Sequence, residues 1–146
     1  SVITQEMRDA IGVESDPVVN EVERGAIIKF AQAIGDESPV YNDEEAARET
    51  RYGGIIAPPT FLRSMRVGSN KVTVQSPYPA NLDGGSEWEY FEPVRVGDRI
   101  TGVSRVTDLS ERAGRLGPMI FMTTVTTYTN QFDDVVATQK GTLIRY

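Results

Sequence analysis

The chain has 146 residues, a net charge of −6, 39% hydrophobic residues and 25% charged residues. This size and balance predict one globular domain over residues 1–146 and exclude intrinsic disorder. No 18-residue apolar run is present to span a membrane, and the N-terminus lacks the basic and apolar regions of a signal peptide. We therefore expect a cytoplasmic protein without a membrane partner.

The chain contains neither cysteine nor histidine. The first absence excludes disulfides, thiolate nucleophiles and thiolate metal sites. The second removes the usual general base near neutral pH and the commonest metal ligand, so a base in this chain must be a carboxylate, a tyrosine or a lysine. The acidic net charge and the scattered cations argue against nucleic-acid binding.

Helical spacing of apolar residues dominates the first half of the chain. Residues 2–11 and 23–34 each place apolar side chains on one helical face, and Gly35 is expected to end the second helix in a left-handed cap. The segment "PVVNEV" between them predicts a first strand. Asn42 and Asp43, followed by two acids, predict the start of another helix. Residues 60–68 predict a buried helix that begins after proline.

The second half of the chain alternates like strands. From Gly84 onward, β-branched and aromatic residues predict four antiparallel strands. The segments "PVRVGDR", "SERAGRLGP" and "NQFDD" carry the Gly, Asn and Asp residues of hairpin turns. Helices that precede a meander of strands predict an α+β fold.

Four segments, in order, resemble a known family: "IGDESPVYNDEEAA", "YGGIIAPPTFL", "GGSEWEYFEPVRVGDRI" and "GPMIFMTTVTTYTNQFDDVVATQKGTLI". Over nearly the whole chain they are similar to the N-terminal-type domain of the MaoC-like dehydratase family, which includes (R)-specific enoyl-CoA hydratases. The resemblance implies a hot-dog fold, in which a curved antiparallel sheet wraps a long helix and pairs with a second hot-dog subunit. It also implies an acyl-CoA or acyl-carrier thioester as substrate, with no metal or organic cofactor.

The resemblance also shows where this chain departs from its catalytic relatives. Their motif is Asp-x-Asn-Pro-aliphatic-His, whereas this chain has Asp36, Ser38, Pro39 and then Tyr41 at the histidine position. A phenol with a reference pKa of about 10 is a poor base near neutral pH. Asp36 either activates water or caps the turn before Pro39. Tyr41 either packs or donates a hydrogen bond in a vestigial pocket, or it helps Asp36 to orient water.

A second departure concerns the donor to the thioester carbonyl. In catalytic relatives a His-Gly pair begins the central helix, and the glycine N–H donates to that carbonyl. Spacing from Asp36 places Pro59 at the glycine position, and proline has no N–H to donate. Removing such a donor from a working enzyme costs about 2.7 to 4 kcal/mol. The sequence therefore predicts an active-site outline that has lost its base and its donor.

Other residues remain candidates for substrate binding. Gly54 and Gly85, each in a Gly-Gly pair, either let a thioester approach the backbone or only permit tight turns. Arg63 and Arg66 either contact the phosphates of CoA or are solvated helix residues. Trp88 either packs in the core or a dimer interface, or contacts the acyl chain.

These features leave several functions open. The first is a non-catalytic or weakly catalytic subunit of a heteromeric enoyl-CoA hydratase or dehydratase in lipid metabolism. Here a second hot-dog subunit supplies the Asp/His pair, in a heterodimer or heterotetramer, while this chain shapes the pocket for a bulky acyl-CoA. The alternatives are a self-sufficient homodimeric (R)-enoyl-CoA hydratase that uses Asp36, an acyl-thioester-binding module, and a thioesterase.

Overall fold

The computed structural model describes residues 2–74, 78–115 and 117–146, in which five strands form one antiparallel sheet. The order across the sheet is β1-β3-β4-β5-β2, so β1 and β2 are its edges. The strands are β1 (Val18–Glu21), β2 (Asn81–Tyr90), β3 (Arg99–Gly114), β4 (Gly117–Thr129) and β5 (Val135–Arg145).

Short helices, all located before β2 in the described residues, cover the sheet. They are α1 (Gln5–Asp9), α2 (Arg24–Ala33), α3 (Pro39–Asn42), α4 (Glu44–Arg48) and a 3₁₀ helix (Pro59–Ser64). The Thr4 hydroxyl caps α1, and the Asp43 carboxylate caps α4 by accepting from the first N–H groups of the helix. Gly35 follows α2 with φ of 72°, as expected of a left-handed cap. Local capping chemistry thus sets these helix ends, and the α+β prediction is confirmed.

The segment expected to be a helix over residues 60–68 differs from the prediction. It forms only the 3₁₀ helix, and Met65 is already extended, with φ of −75° and ψ of 149°. The Asn20 side chain on β1 explains this early end. It accepts from the Arg66 N–H and donates to the Arg66 carbonyl, both at 2.9 Å, which holds that main chain against the sheet edge.

The segment "PVRVGDR" is not a hairpin turn, and the prediction of a simple meander is wrong at this point. β2 pairs with β5, whereas β3 pairs with β1 and β4. The connecting chain crosses the sheet to β3, which lies next to the far edge strand β1, and it is held on the way. The buried Val94 accepts from the Ala57 N–H at 2.8 Å, and the Val96 N–H donates to the Ile55 carbonyl at 3.4 Å.

The other two predicted turns are confirmed by the strand pairing. β3 and β4 form a hairpin whose last partners are Gly114 and Gly117, while Leu116 lies outside the described residues. β4 and β5 are joined through Asp133, which has φ of 64°. The Asn130 side chain accepts from two N–H groups of that turn, as asparagine does in turns.

Two groups of buried apolar side chains lie against the sheet. The larger group joins α2 and the 3₁₀ helix to the strands through Ile27, Phe61, Ile100 and Val136. The smaller one lies under α1 and includes Met7. Packing on the larger group fixes the 3₁₀ helix, which borders both cavities described below. Among the described residues, no helix is long and apolar enough to cross a membrane.

Candidate functional site

Asp36 caps the loop that joins α2 to α3. Its N–H donates to the Ala31 carbonyl at 2.9 Å, and its Oδ1 accepts from the Ser38 N–H at 3.0 Å. The Asn42 amide donates to the carbonyls of Asp36 and Ser38 at 3.0 and 2.9 Å. Of the two roles that the sequence left open, these contacts favour the cap. The carboxylate orders the turn before Pro39, and this same turn presents Tyr41.

Tyr41 lies on the short helix α3, which the sequence analysis did not predict. Its ring is half-buried. Burial raises the pKa of the Tyr41 hydroxyl, and the nearby Asp36 and Tyr52 raise it further. The phenol therefore stays protonated at neutral pH and can donate a hydrogen bond, but it cannot serve as the base that histidine provides.

Pro59 begins the 3₁₀ helix and follows Pro58, so two successive residues offer no N–H. Two nearby donors are engaged within the chain: the Ala57 N–H binds the Val94 carbonyl at 2.8 Å, and the Phe61 N–H binds the Pro58 carbonyl at 2.9 Å. The residue at the position where a catalytic relative presents an amide to a carbonyl therefore has no N–H to present.

A cavity of about 550 Å³ lies between α3, the 3₁₀ helix and the chain that follows β2. We name it the Tyr52 cavity. Its walls include two of the predicted site residues, Tyr41 and Pro59, together with Tyr90. Asp36 is close enough to Tyr41 to raise the pKa of its hydroxyl but is not part of the wall. The structure therefore brings together the two degenerate catalytic positions that the sequence identified.

Arg51 and Arg95 also line this cavity, and the sequence analysis missed both as site residues. They approach the Tyr52 ring, with guanidinium carbons 4.8 and 6.0 Å from its centroid. Arg51 donates to the Tyr52 hydroxyl at 2.6 Å, and Arg95 donates to the Tyr52 carbonyl. The sequence around Arg51 indicates only a cation near the end of a helix. Its pairing with Arg95 depends on the crossing chain, which no local pattern encodes.

A second, more apolar depression lies on the opposite side of the 3₁₀ helix. This Trp88 groove has a volume of about 430 Å³ and is lined by Phe30, Ile34, Thr60, Arg63, Ser64 and Trp88. A 3₁₀ helix repeats every three residues. Pro59 and Leu62 therefore face the Tyr52 cavity, whereas Thr60 and Arg63 face the groove.

Three aromatic rings continue the Trp88 groove across the sheet. Trp88 stacks on Tyr90 and on Tyr128, each at 5.8 Å between ring centroids. Burial raises the pKa of the Tyr90 and Tyr128 hydroxyls, and the nearby Arg63 partly opposes this for Tyr128. Tyr90 belongs both to this stack and to the wall of the Tyr52 cavity, so it connects the two sites.

The remaining predicted site residues lie outside the wall of the Tyr52 cavity. Arg63 is exposed and lies 3.8 Å from Asp83 of β2. Arg66 is exposed, with its main chain held by Asn20. Gly85 occupies a bulge in β2 with φ of 106°, and a Cβ on Gly54 would meet no atom within 4 Å. Gly85 thus serves a turn of the backbone, and Gly54 makes no close approach to the other residues that the structure describes.

The chemistry available here is binding more than proton transfer. The described residues contain no cluster of acids that could hold a metal ion. The wall of the Tyr52 cavity combines guanidinium groups and phenol hydroxyls, which donate hydrogen bonds, with a single acid, Glu92.

Comparison with known proteins places these features in a family. Residues 9–139 match the family described as FAS1-like, dehydratase domain region. A protein from Saccharopolyspora erythraea named UPF0336 protein is 35% identical over 140 residues, which cover 92% of this chain and 87% of that protein. A probable enoyl-CoA hydratase alpha subunit from Thermomonospora curvata is 33% identical over 135 residues, 80% of this chain and 42% of that one. The match to a UPF0336 protein of Streptomyces avermitilis covers 66% of that relative.

Solved structures give the same fold. A MaoC-like dehydratase from Rhodospirillum rubrum has a TM-score of 0.73 at 26% identity, covering 98% of this chain and 97% of that one. A chain of the ChsH1-ChsH2 complex from Mycobacterium tuberculosis has a TM-score of 0.79 at 20% identity, covering 96% and 90%. A chain of the HadBC (3R-hydroxyacyl-ACP dehydratase) complex from the same organism has a TM-score of 0.73 at 21% identity, covering 93% of this chain and 97% of that one. The predicted hot-dog fold is confirmed.

Proposed function

Because the chain belongs to the family described as FAS1-like, dehydratase domain region, we propose that it is the non-catalytic or weakly catalytic subunit of a heteromeric enoyl-CoA hydratase or dehydratase. A second hot-dog subunit supplies the Asp/His pair, and this chain shapes the pocket for a bulky acyl-CoA. The complex is a cytoplasmic heterodimer or heterotetramer that requires no metal or organic cofactor.

One observation carries this proposal: both catalytic positions are degenerate in a chain that has no histidine. Tyr41 holds the position of the base, and its raised pKa keeps the hydroxyl protonated. Pro59 holds the position of the N–H donor and has none to give. Since the Asp36 carboxylate caps its own loop, addition of water to an enoyl thioester needs a base from elsewhere.

The edge strand β2 supports a partner that is not a second copy of this chain. In the part of the chain that the structure describes, β2 pairs with β5 on one side only. Its ionisable side chains other than Tyr90 are all acids: Asp83, Glu87 and Glu89. Cations that approach this strand come from its neighbours, as Arg63 does toward Asp83. Joining two copies edge to edge would oppose like charges, which destabilises a sheet. A partner with a basic edge strand would pair there favourably.

The names of similar proteins support a heteromer. The Thermomonospora relative is an alpha subunit, and the two Mycobacterium neighbours were solved as complexes. The Trp88 groove gives this proposal an acyl-binding surface. It is open and mostly apolar, and the 3₁₀ helix beside it has only six residues. A short helix leaves room for a bulky acyl group beside Phe30 and Trp88.

The test compares three preparations in the hydration of short and bulky enoyl-CoAs. They are the chain alone, a hot-dog protein encoded beside it that carries Asp-x-Asn-Pro-x-His, and the two proteins co-expressed. We expect full activity only from the co-expressed pair, with the largest gain over the partner alone for bulky substrates. The mass of the complex, measured by light scattering, gives its stoichiometry.

Three results would contradict the proposal. Full activity of the lone chain that is abolished by Asp36→Asn would establish the self-sufficient homodimer instead. Thioester binding without turnover in all three preparations would indicate a binding module. Hydrolysis of the thioester by the lone chain would indicate a thioesterase.

A further inference from the structure

Two arginines on the wall of the Tyr52 cavity are held by one residue without being neutralised. Arg51 and Arg95 both contact Tyr52, one through its hydroxyl and the other through its carbonyl. Ion pairs within the described ranges 2–74, 78–115 and 117–146 use Arg24, Arg48, Arg63 and Lys71, and neither cavity arginine is among them. Their positive charge is therefore available to a ligand.

The charge of this wall is opposite to that of the chain. The wall carries two guanidinium groups and one carboxylate, that of Glu92, whereas the net charge of the whole protein is −6. A neutral acyl chain gains nothing from guanidinium groups that lack an acidic partner, because placing them beside it would desolvate charge without compensation. Arg63 of the Trp88 groove differs in this respect, because it lies 3.8 Å from Asp83. An anion gains from them, since guanidinium donors bind phosphate oxygens in pairs.

The remainder of the wall suits an organic ligand. Tyr41 and Tyr90 contribute hydroxyls, and burial raises the pKa of both, so each stays a donor at neutral pH. Leu62, Phe91 and Val94 contribute apolar surface beside them. A free volume of about 550 Å³ is in the usual range for a small-molecule site. The cavity can therefore enclose an organic group along with its anion.

We propose that the Tyr52 cavity binds the phosphate-bearing end of a thioester carrier, with Arg51 and Arg95 on the phosphate oxygens. This proposal rests on the proposed function, because it takes a carrier thioester as the substrate. The two sides of the 3₁₀ helix then bind different parts of that substrate. The phosphate lies beside Pro59 and Leu62, and the acyl group lies in the Trp88 groove. The phosphate has two possible sources, the nucleotide end of CoA or the phosphopantetheine arm of an acyl carrier protein.

The test is titration calorimetry of the full chain, alone and in complex with its partner, without turnover. The probes are CoA, dephospho-CoA, 4′-phosphopantetheine and pantetheine. We expect R51Q/R95Q to weaken CoA binding by about tenfold or more, since each arginine contributes charged hydrogen bonds. The control R8Q/R48Q removes the same charge from exposed positions outside the cavity, and we expect it to stay within about twofold of the parent chain.

The probes identify the source of the phosphate. Weaker binding of dephospho-CoA than of CoA assigns the site to the nucleotide end, whereas equal binding of CoA and 4′-phosphopantetheine assigns it to the arm. Pantetheine that binds as tightly as CoA, an equal effect of the two double variants, or no saturable binding in either preparation would overturn the proposal. Because binding is measured without catalysis, a complex that binds CoA through these arginines but hydrates nothing would refute the proposed function alone.

Discussion

The two sides of the 3₁₀ helix differ in chemistry although one six-residue segment borders both. The Tyr52 cavity presents guanidinium and phenol groups, whereas the Trp88 groove presents aromatic and aliphatic surface. The three-residue repeat sends Pro59 and Leu62 to one side and Thr60 and Arg63 to the other. The difference in chemistry comes from the elements that complete each wall: Arg51, Tyr52 and Arg95 on one side, and Phe30, Ile34 and Trp88 on the other. A segment that has lost the donor of a catalytic site can thus still organise two surfaces, one for charge and one for apolar contact.

Both surfaces depend first on Phe61, which anchors the 3₁₀ helix in the core. Its side chain is 7% exposed and meets the Phe30 ring edge-on at 5.5 Å between centroids. We expect Phe61→Ala to lower the free energy of unfolding by about 3 to 5 kcal/mol, measured by urea denaturation. Phe132→Ala, at a site that is 74% exposed, is the control and should change it by less than about 0.5 kcal/mol. Similar losses in both variants would contradict this anchoring role.

The apolar side is tested by Trp88→Ala. The change removes two ring contacts worth about 0.5 to 1.5 kcal/mol each, and we expect an unfolding free energy lower by about 1 to 3 kcal/mol. Binding of a bulky enoyl-CoA by the complex, followed by calorimetry, should weaken more than binding of CoA does. Trp88→Phe keeps a stacking ring and should recover part of both losses. A variant that impairs CoA binding most would place the ring's role on the charged side instead.

On the charged side, the cap at Asp36 is expected to have a smaller effect. Asp36→Ala removes the acceptor of the Ser38 N–H and should lower the unfolding free energy by about 0.5 to 2 kcal/mol. Asp36→Asn keeps an oxygen at this position, so most of that loss should not occur. Thermal unfolding of the two variants measures the difference. Equal destabilisation by Asp36→Asn and Asp36→Ala would show that Asp36 stabilises the fold through its negative charge and not through the hydrogen bond that it accepts from the Ser38 N–H.

The smallest expected effect concerns pH and the tyrosines. Burial is the main cause that raises the pKa of Tyr41 and of Tyr128 in the folded chain. A pKa that is higher in the folded chain than in the unfolded chain contributes to the free energy of unfolding, and this contribution is fully present below the unfolded pKa of about 10. It decreases as pH rises toward the higher folded pKa, because the unfolded chain then loses the proton first. Unfolding free energies measured from pH 8 to 11 should therefore decline above about pH 10.

Phenylalanine variants separate the two sides in the same measurement. Tyr41→Phe removes the cavity contribution and Tyr128→Phe removes the sheet contribution, and each should flatten the decline. An unchanged slope in both variants would mean that other groups control the alkaline loss of stability.

Features with a local cause could be predicted from the sequence. Gly35 ends α2, Asp43 begins α4, and Asn130 organises the last turn, because each acts on backbone groups a few residues away. The retained Asp36 and the degenerate positions Tyr41 and Pro59 are identified through a family motif. Tyr41 and Pro59 do lie at one cavity, with Asp36 close to Tyr41 but not part of the wall.

What could not be predicted depends on pairing over long distances in the chain. β2 crosses to β5 instead of pairing with β3, because the segment around Val94 binds residues near Ala57. That crossing delivers Arg95 to Tyr52, 43 residues away in sequence. Arg63 and Arg66, which the sequence indicates from their place beside the expected central helix, lie outside the wall of this cavity. The sequence shows which residues are charged, but the surface on which each charged residue lies depends on the topology of the whole sheet.

The acidic strand β2 has a consequence for the life of the subunit before assembly. A ten-residue strand with one open edge is a template for uncontrolled growth, in which sheet adds to sheet until the protein precipitates. Carboxylates on that edge repel identical copies and leave cationic edges as its preferred partners. Under the proposed heteromeric assembly, a newly made chain persists until its partner is made, and the supply of that partner sets how much complex forms.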